Sequence, residues 1–62
     1  MLTMTVRAYL RRDYGIRDIP CELLDYFVRK HRVAWPDDAA TIAFVIANAW
    51  QAGLSRPAAD QK

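Results

Sequence analysis

Two residues with distinctive chemistry are Cys21 and His31, the single cysteine and the single histidine of the chain. A thiol beside an imidazole can act as a nucleophile. These two lie ten residues apart in one predicted helix, which separates their Cα atoms by about 15 Å along its axis. They therefore cannot form such a pair. One cysteine and one histidine also cannot form a closed four-ligand zinc site without several carboxylates.

We therefore expect no catalytic site, no metal and no cofactor. Cys21 is interpreted as a small, half-buried packing residue, the alternative being a reactive thiol at a helix N-terminus. His31 is interpreted as a helix-end histidine that packs its ring and favours the helix dipole. The alternative for His31 is a pH switch or a ligand.

Four arginines in the first seventeen residues are the second chemically distinctive set. Guanidinium groups bind phosphates and carboxylates, and two tyrosines interleave with these arginines. Two nearby aspartates dilute their charge, and no signature of a nucleic-acid-binding module is present. The set predicts a patch for nucleic acid or an acidic partner, the alternative being an ordinary solvated helix face. Its members are Arg7, Arg11, Arg12 and Arg17.

Composition indicates one small globular domain of 62 residues, with 53% hydrophobic and 26% charged residues and a net charge of +2. The core of so short a chain supplies only ~3–5 kcal/mol. A single cysteine allows no internal disulfide, so we expect association with a second copy or another partner to add stability. An unpaired cysteine and the lack of a visible signal peptide predict a cytoplasmic protein. The apolar segment 39–52 is too short to span a bilayer, so no membrane partner is expected.

Glycine and proline punctuation predicts an all-α fold, a compact three-helix domain with helices at about 3–14, 20–32 and 37–52. Residues 1–54 form the domain and 55–62 a disordered, flexible tail. Thr3 or Thr5 is expected to cap the first helix, and Gly15 to end it in a Schellman arrangement. Pro20 is expected at the first position of the second helix, and an aspartate, 37 or 38, at the cap of the third. The predicted core is Val6, Leu10, Tyr14, Ile16, Leu23, Leu24, Phe27, Val28, Ile42, Ile46 and Trp50.

The third helix is apolar on most sides, which predicts that part of it is an interface. At 100° per residue, Phe44 lies roughly 160° from the centre of the core arc. Phe44 then needs a second copy or another protein to cover it, unless the helix rotates to bring it into the core. Trp35 either covers the edge of the core or anchors a partner. The predicted interface residues are Trp35, Ala40, Phe44, Ala47, Asn48 and Gln51.

Two functions are compatible with these features. The first is a non-enzymatic interaction module, an inhibitor or adaptor that occludes a larger protein or nucleoprotein target, with a homodimer through the third helix as a further expectation. Short helical proteins without motifs often come from phages or mobile elements, where small proteins, anti-CRISPR proteins among them, occlude a larger target. From size and plainness alone, and not from any resemblance of residues, we therefore expect a phage or mobile-element protein with such a role. The alternative is a basic nucleic-acid-binding accessory protein or transcriptional regulator that uses the first-helix arginines. The absence of lysine and arginine from 37–52 counts against the third helix as a recognition helix.

Overall fold

The computed structural model describes residues 1–53 and contains three α-helices in that range. These are α1 (Leu2–Tyr14), α2 (Cys21–Arg32) and α3 (Ala39–Gln51). The predicted all-α three-helix domain is confirmed, with helix ends within two residues of the expected ones. None of the three helices is long and apolar enough to cross a membrane. The predicted tail at 55–62 lies outside the described residues.

The C-terminus of α1 is set by Gly15, as predicted. Its φ of 65° is left-handed, a conformation that glycine adopts without steric cost. The backbone N–H groups of Gly15 and Ile16 both donate to the carbonyl oxygen of Leu10. The Ile16 N–H therefore reaches one residue further back along α1 than it would in the expected Schellman arrangement. This pattern still turns the Ile16 side chain back into the core, where only 8% of it is exposed.

The N-termini differ in how they are capped. The Asp38 carboxylate caps α3, accepting from the Thr41 N–H at 3.1 Å and from the Thr41 hydroxyl at 2.8 Å. Pro20 is the residue before α2 rather than its first helical residue. Its carbonyl accepts the first helical hydrogen bond, from the N–H of Leu24. The expected threonine cap of α1 is wrong, because α1 begins at Leu2 without a side-chain cap.

Polar contacts show that α1 and α2 pack antiparallel. The Thr3 hydroxyl, near the start of α1, donates at 3.0 Å to Asp25, just before the middle of α2. Further along α1, the Arg7 guanidinium lies 3.3 Å from the Sγ of Cys21, the first residue of α2. Helix α1 packs more extensively against α3 than against α2. Each helix therefore contacts both others, and the core lies between all three.

The core is close to the predicted one. Three of the predicted core residues are less buried than expected, and three further residues are buried. Tyr14, Leu23 and Trp50 are half-buried side chains that pack against the core rather than within it. Ile19, in the loop before α2, is buried although it was not expected to be. Two α3 alanines complete the core where helices approach closely. The buried residues are Val6, Leu10, Ile16, Ile19, Leu24, Phe27, Val28, Ile42, Ala43, Ile46 and Ala47.

Candidate protein-interaction face on helix α3

One side of α3 faces away from the core and is exposed along the whole helix. Its residues recur at i, i+4, i+8 and i+11, which keeps them on one stripe. Phe44 lies at its centre, with 55% of the residue exposed. The alternative in which Phe44 rotates into the core is therefore wrong. We call this stripe the α3 face, and it consists of Ala40, Phe44, Asn48 and Gln51.

Ala47 is a correction to the predicted face. It was grouped with Phe44, but it is 1% exposed and belongs to the core. At 100° per residue Ala47 lies 60° from Phe44, on the same side of the helix as the buried Ala43. A methyl side chain there lets another part of the domain approach the helix axis closely. The buried arc of α3 is therefore wider on this side than a symmetrical arc would be.

The α3 face is uncharged, in contrast to the outer faces of the other two helices. No Asp, Glu, Lys or Arg occurs from Ala39 to Ala52. The exposed sides of α1 and α2 carry charged residues, among them Arg11 on α1 and Glu22 on α2. Interface centres are depleted of charged residues in the same way. Among the described helices, α3 presents the surface with the composition of such a centre.

Two aspartates mark the N-terminal end of this face. Asp37 and Asp38 are both exposed. Hydrogen bonds from the hydroxyl and then the backbone N–H of Thr41 lower the pKa of Asp38 below its ordinary value. Asp37 has a φ of 63°, a left-handed conformation that aspartate tolerates better than most residues. Sequence reasoning treated these residues only as helix caps. No basic residue occurs from 33 to 53.

Trp35 lies in the loop before α3 and is half-buried against the core. Its ring centroid is 6.2 Å from that of His31, at an interplanar angle of 39°. Trp35 thus covers the edge of the core, the first of its two predicted roles. Burial, and then the charge of Lys30, lower the pKa of His31.

Two of the four predicted arginines have partners within the protein. Arg7 is directed to the α2 N-terminus, with its Nη2 3.4 Å from the carbonyl oxygen of Ile19. Arg12 forms a 2.9 Å ion pair with Asp13 and lies over the ring of Tyr9, 5.1 Å from its centroid. This pairing raises the pKa of Arg12 and lowers that of Asp13.

Arg11 and Arg17 are the other two members of the set, and both are exposed. Arg11 lies 100° from Arg12 around α1, so the two guanidinium groups leave different sides of the helix. Nucleic-acid binding by these arginines remains a prediction.

Cys21 and His31 lie at opposite ends of α2, as the spacing required. Cys21 is exposed rather than half-buried, because it is the first residue of the helix and lies outside the core. Within residues 1–53 there is no group of three metal-ligating side chains.

No protein-family model matches the chain, and comparisons with curated proteins and with solved structures find no match either.

Proposed function

We propose that this protein is a non-enzymatic interaction module, an inhibitor or adaptor that occludes a larger protein or nucleoprotein target through the α3 face. The observation that carries the proposal is the exposure of Phe44 at the centre of an uncharged helix face. A domain of this size has little stability to spare, and burying a phenylalanine is worth about 1.5–3 kcal/mol. Leaving the ring half in water gives up part of that stabilisation, which a bound partner would recover.

The surroundings of Phe44 support a protein partner rather than a small ligand. The face is a convex stripe on one helix, whereas small molecules bind in concave pockets. Ala40 permits close approach of another backbone, and the amides of Asn48 and Gln51 supply donors and acceptors at the other end. An aromatic anchor with polar neighbours is the usual composition of an interaction hot spot.

The experiment compares two substitutions at exposed aromatic residues. Phe44→Asp places a charge at the centre of the α3 face. Tyr26→Asp makes a similar change on the outer side of α2, where Tyr26 is 58% exposed. Tagged wild type and both variants are used for affinity capture from lysate, and their masses are measured by light scattering at low and high salt.

The proposal predicts that Phe44→Asp loses captured protein and that Tyr26→Asp retains it. Circular dichroism confirms that both variants are helical. If the two variants and the wild type behave alike in capture and in mass, the α3 face is not the interaction surface and the proposal fails.

A further inference from the structure

We infer that the partner presents a basic amphipathic helix to the α3 face, with an apolar ridge over Phe44 and lysine or arginine beside the ridge. This inference rests on the function proposed above and specifies the chemistry of the partner. It comes from the distribution of charge around the face.

The charges of the chain are divided between its two halves. Residues 1–32 contain seven lysines and arginines and four acids, a net charge of +3. Residues 33–62 contain Asp37, Asp38 and Asp60 against Arg56 and Lys62, a net charge of −1, and within 33–53 there are only the two aspartates and no basic residue. The uncharged α3 face thus lies in the acidic segment 33–53, although the protein as a whole is basic.

Negative charge is present at both ends of the α3 face. Asp38 lies six residues before Phe44, about 9 Å along the helix axis. That distance is within reach of a lysine or arginine on a helix packed over the Phe44 ring. At the other end, the last turn of α3 contains no basic residue to offset the partial negative charge of its carbonyl groups. A helix with an apolar centre and basic flanks is the complement of this pattern.

The same pattern disfavours a second copy as the occupant. In an antiparallel two-fold pair, the aspartates of one copy would face the carbonyl end of α3 in the other. In a parallel pair, Asp37 and Asp38 would face themselves. Like charges meet in both arrangements, so self-association through α3 is opposed by electrostatics.

The probes are three synthetic amphipathic helices of about 18 residues, long enough to hold helical structure. They share one leucine and alanine ridge and differ only in flanking residues, which are lysine, glutamine or glutamate. Binding is measured by fluorescence anisotropy of labelled peptide. At ~50 mM salt the lysine peptide is expected to bind about five-fold more tightly than the glutamine peptide, and the glutamate peptide least tightly. The net charge of +2 would by itself favour the glutamate peptide. The expected order of affinities is therefore the reverse of the order that nonspecific attraction to the whole protein would give.

Two double variants test whether Asp37 and Asp38 cause the preference for the lysine peptide. Asp37→Asn with Asp38→Asn removes both charges, and asparagine suits both a left-handed residue and an N-cap. The matched control, Asp13→Asn with Glu22→Gln, removes two exposed acids from α1 and α2. The lysine preference should disappear in the first double variant and persist in the control. Phe44→Asp should weaken binding of all three peptides.

Three results would overturn the inference. The lysine peptide could bind no better than the others, its preference could survive the loss of Asp37 and Asp38, or none of the peptides could bind the wild type. The proposed function is judged separately, by capture and mass with Phe44→Asp and Tyr26→Asp. If Phe44 proves essential there while the peptide order fails, the face binds a partner of different chemistry or a second copy.

Discussion

The hydroxyl of Thr3 donates a 3.0 Å hydrogen bond to Oδ1 of Asp25, a residue 22 positions later in the chain. The other oxygen of the same carboxylate forms a 2.9 Å ion pair with Arg29, one turn further along α2. Asp25 is therefore bonded on one side to α1 and on the other to its own helix. This contact fixes the start of α1 against α2, at an N-terminus that has no side-chain cap of its own.

Replacing Thr3 with valine tests this link. Valine keeps the shape and a similar helix propensity but removes the donor. We expect Thr3→Val to lower the free energy of unfolding by about 1 kcal/mol, measured by urea denaturation. The control is Thr5→Val, because the Thr5 hydroxyl donates to the carbonyl of Met1, the residue before α1, and not to another helix. With Asp25→Ala, a double-mutant cycle should give a coupling of about 0.5–1 kcal/mol. Zero coupling would show that the contact does not contribute to stability.

The pH dependence of stability should report on His31. Burial, with Lys30 as the second cause, lowers its pKa in the folded protein, whereas the unfolded chain has the ordinary value of about 6.5. As pH falls through 6.5, the unfolded state takes up a proton first, so the fold loses stability. The loss levels off below the lowered pKa of the folded state. We therefore expect a lower urea midpoint at about pH 5 than at about pH 7.5.

His31→Gln provides the control for that measurement. Glutamine does not titrate, so the variant should lose most of the difference between the two pH values. NMR of the imidazole ring should place the His31 pKa below its ordinary value, and Lys30→Gln should raise it. If His31 titrates at or above its ordinary pKa, neither the burial of its ring nor the charge of Lys30 has the expected effect.

The Asp38 cap should weaken only in acid. Thr41 lowers the pKa of Asp38, so the stabilisation is present above the ordinary aspartate pKa and is lost as pH falls through the lowered one. At neutral pH, Asp38→Ala should lower Tm by roughly 5 °C, as expected for a lost cap in so small a domain. Asp38→Asn should change Tm little there, because asparagine also caps.

Circular dichroism at about pH 6 and about pH 3 measures this effect. In acid, the stability of Asp38→Asn should rise relative to the wild type, because its amide cannot be protonated. Equal Tm values for the alanine and asparagine variants at neutral pH would show that the cap is not formed.

Local chemistry predicted those parts of the fold that depend on a few neighbouring residues. Gly15 needed a left-handed conformation, and Asp38 and Thr41 have the spacing of a cap and its donor. The threonines of α1 failed as a prediction for the opposite reason. Thr3 finds its partner in α2, and no pattern within α1 indicates that contact.

The candidate site also depends on contacts between helices that local sequence patterns do not predict. The exposure of Phe44 followed from periodicity, because it lies far from any arc that includes both Ile42 and Ile46. The position of Ala47 did not, since alanine is compatible with a core or a surface. A helical wheel gives the angle between two residues of α3. Which of those residues are buried also depends on the direction from which the other helices approach.

Substitutions at two alanines of α3 test where the core ends and the exposed face begins. Ala40 is exposed, and Ala47 is 1% exposed, although the sequence placed them on the same face. Ala47→Leu inserts three carbon atoms into a filled space and should cost about 1–3 kcal/mol in urea denaturation. Ala40→Leu adds the same atoms at the surface and should change stability by less than about 0.5 kcal/mol. If the two substitutions cost the same, α3 is rotated from the orientation described here, and the residues of the α3 face would have to be reassigned.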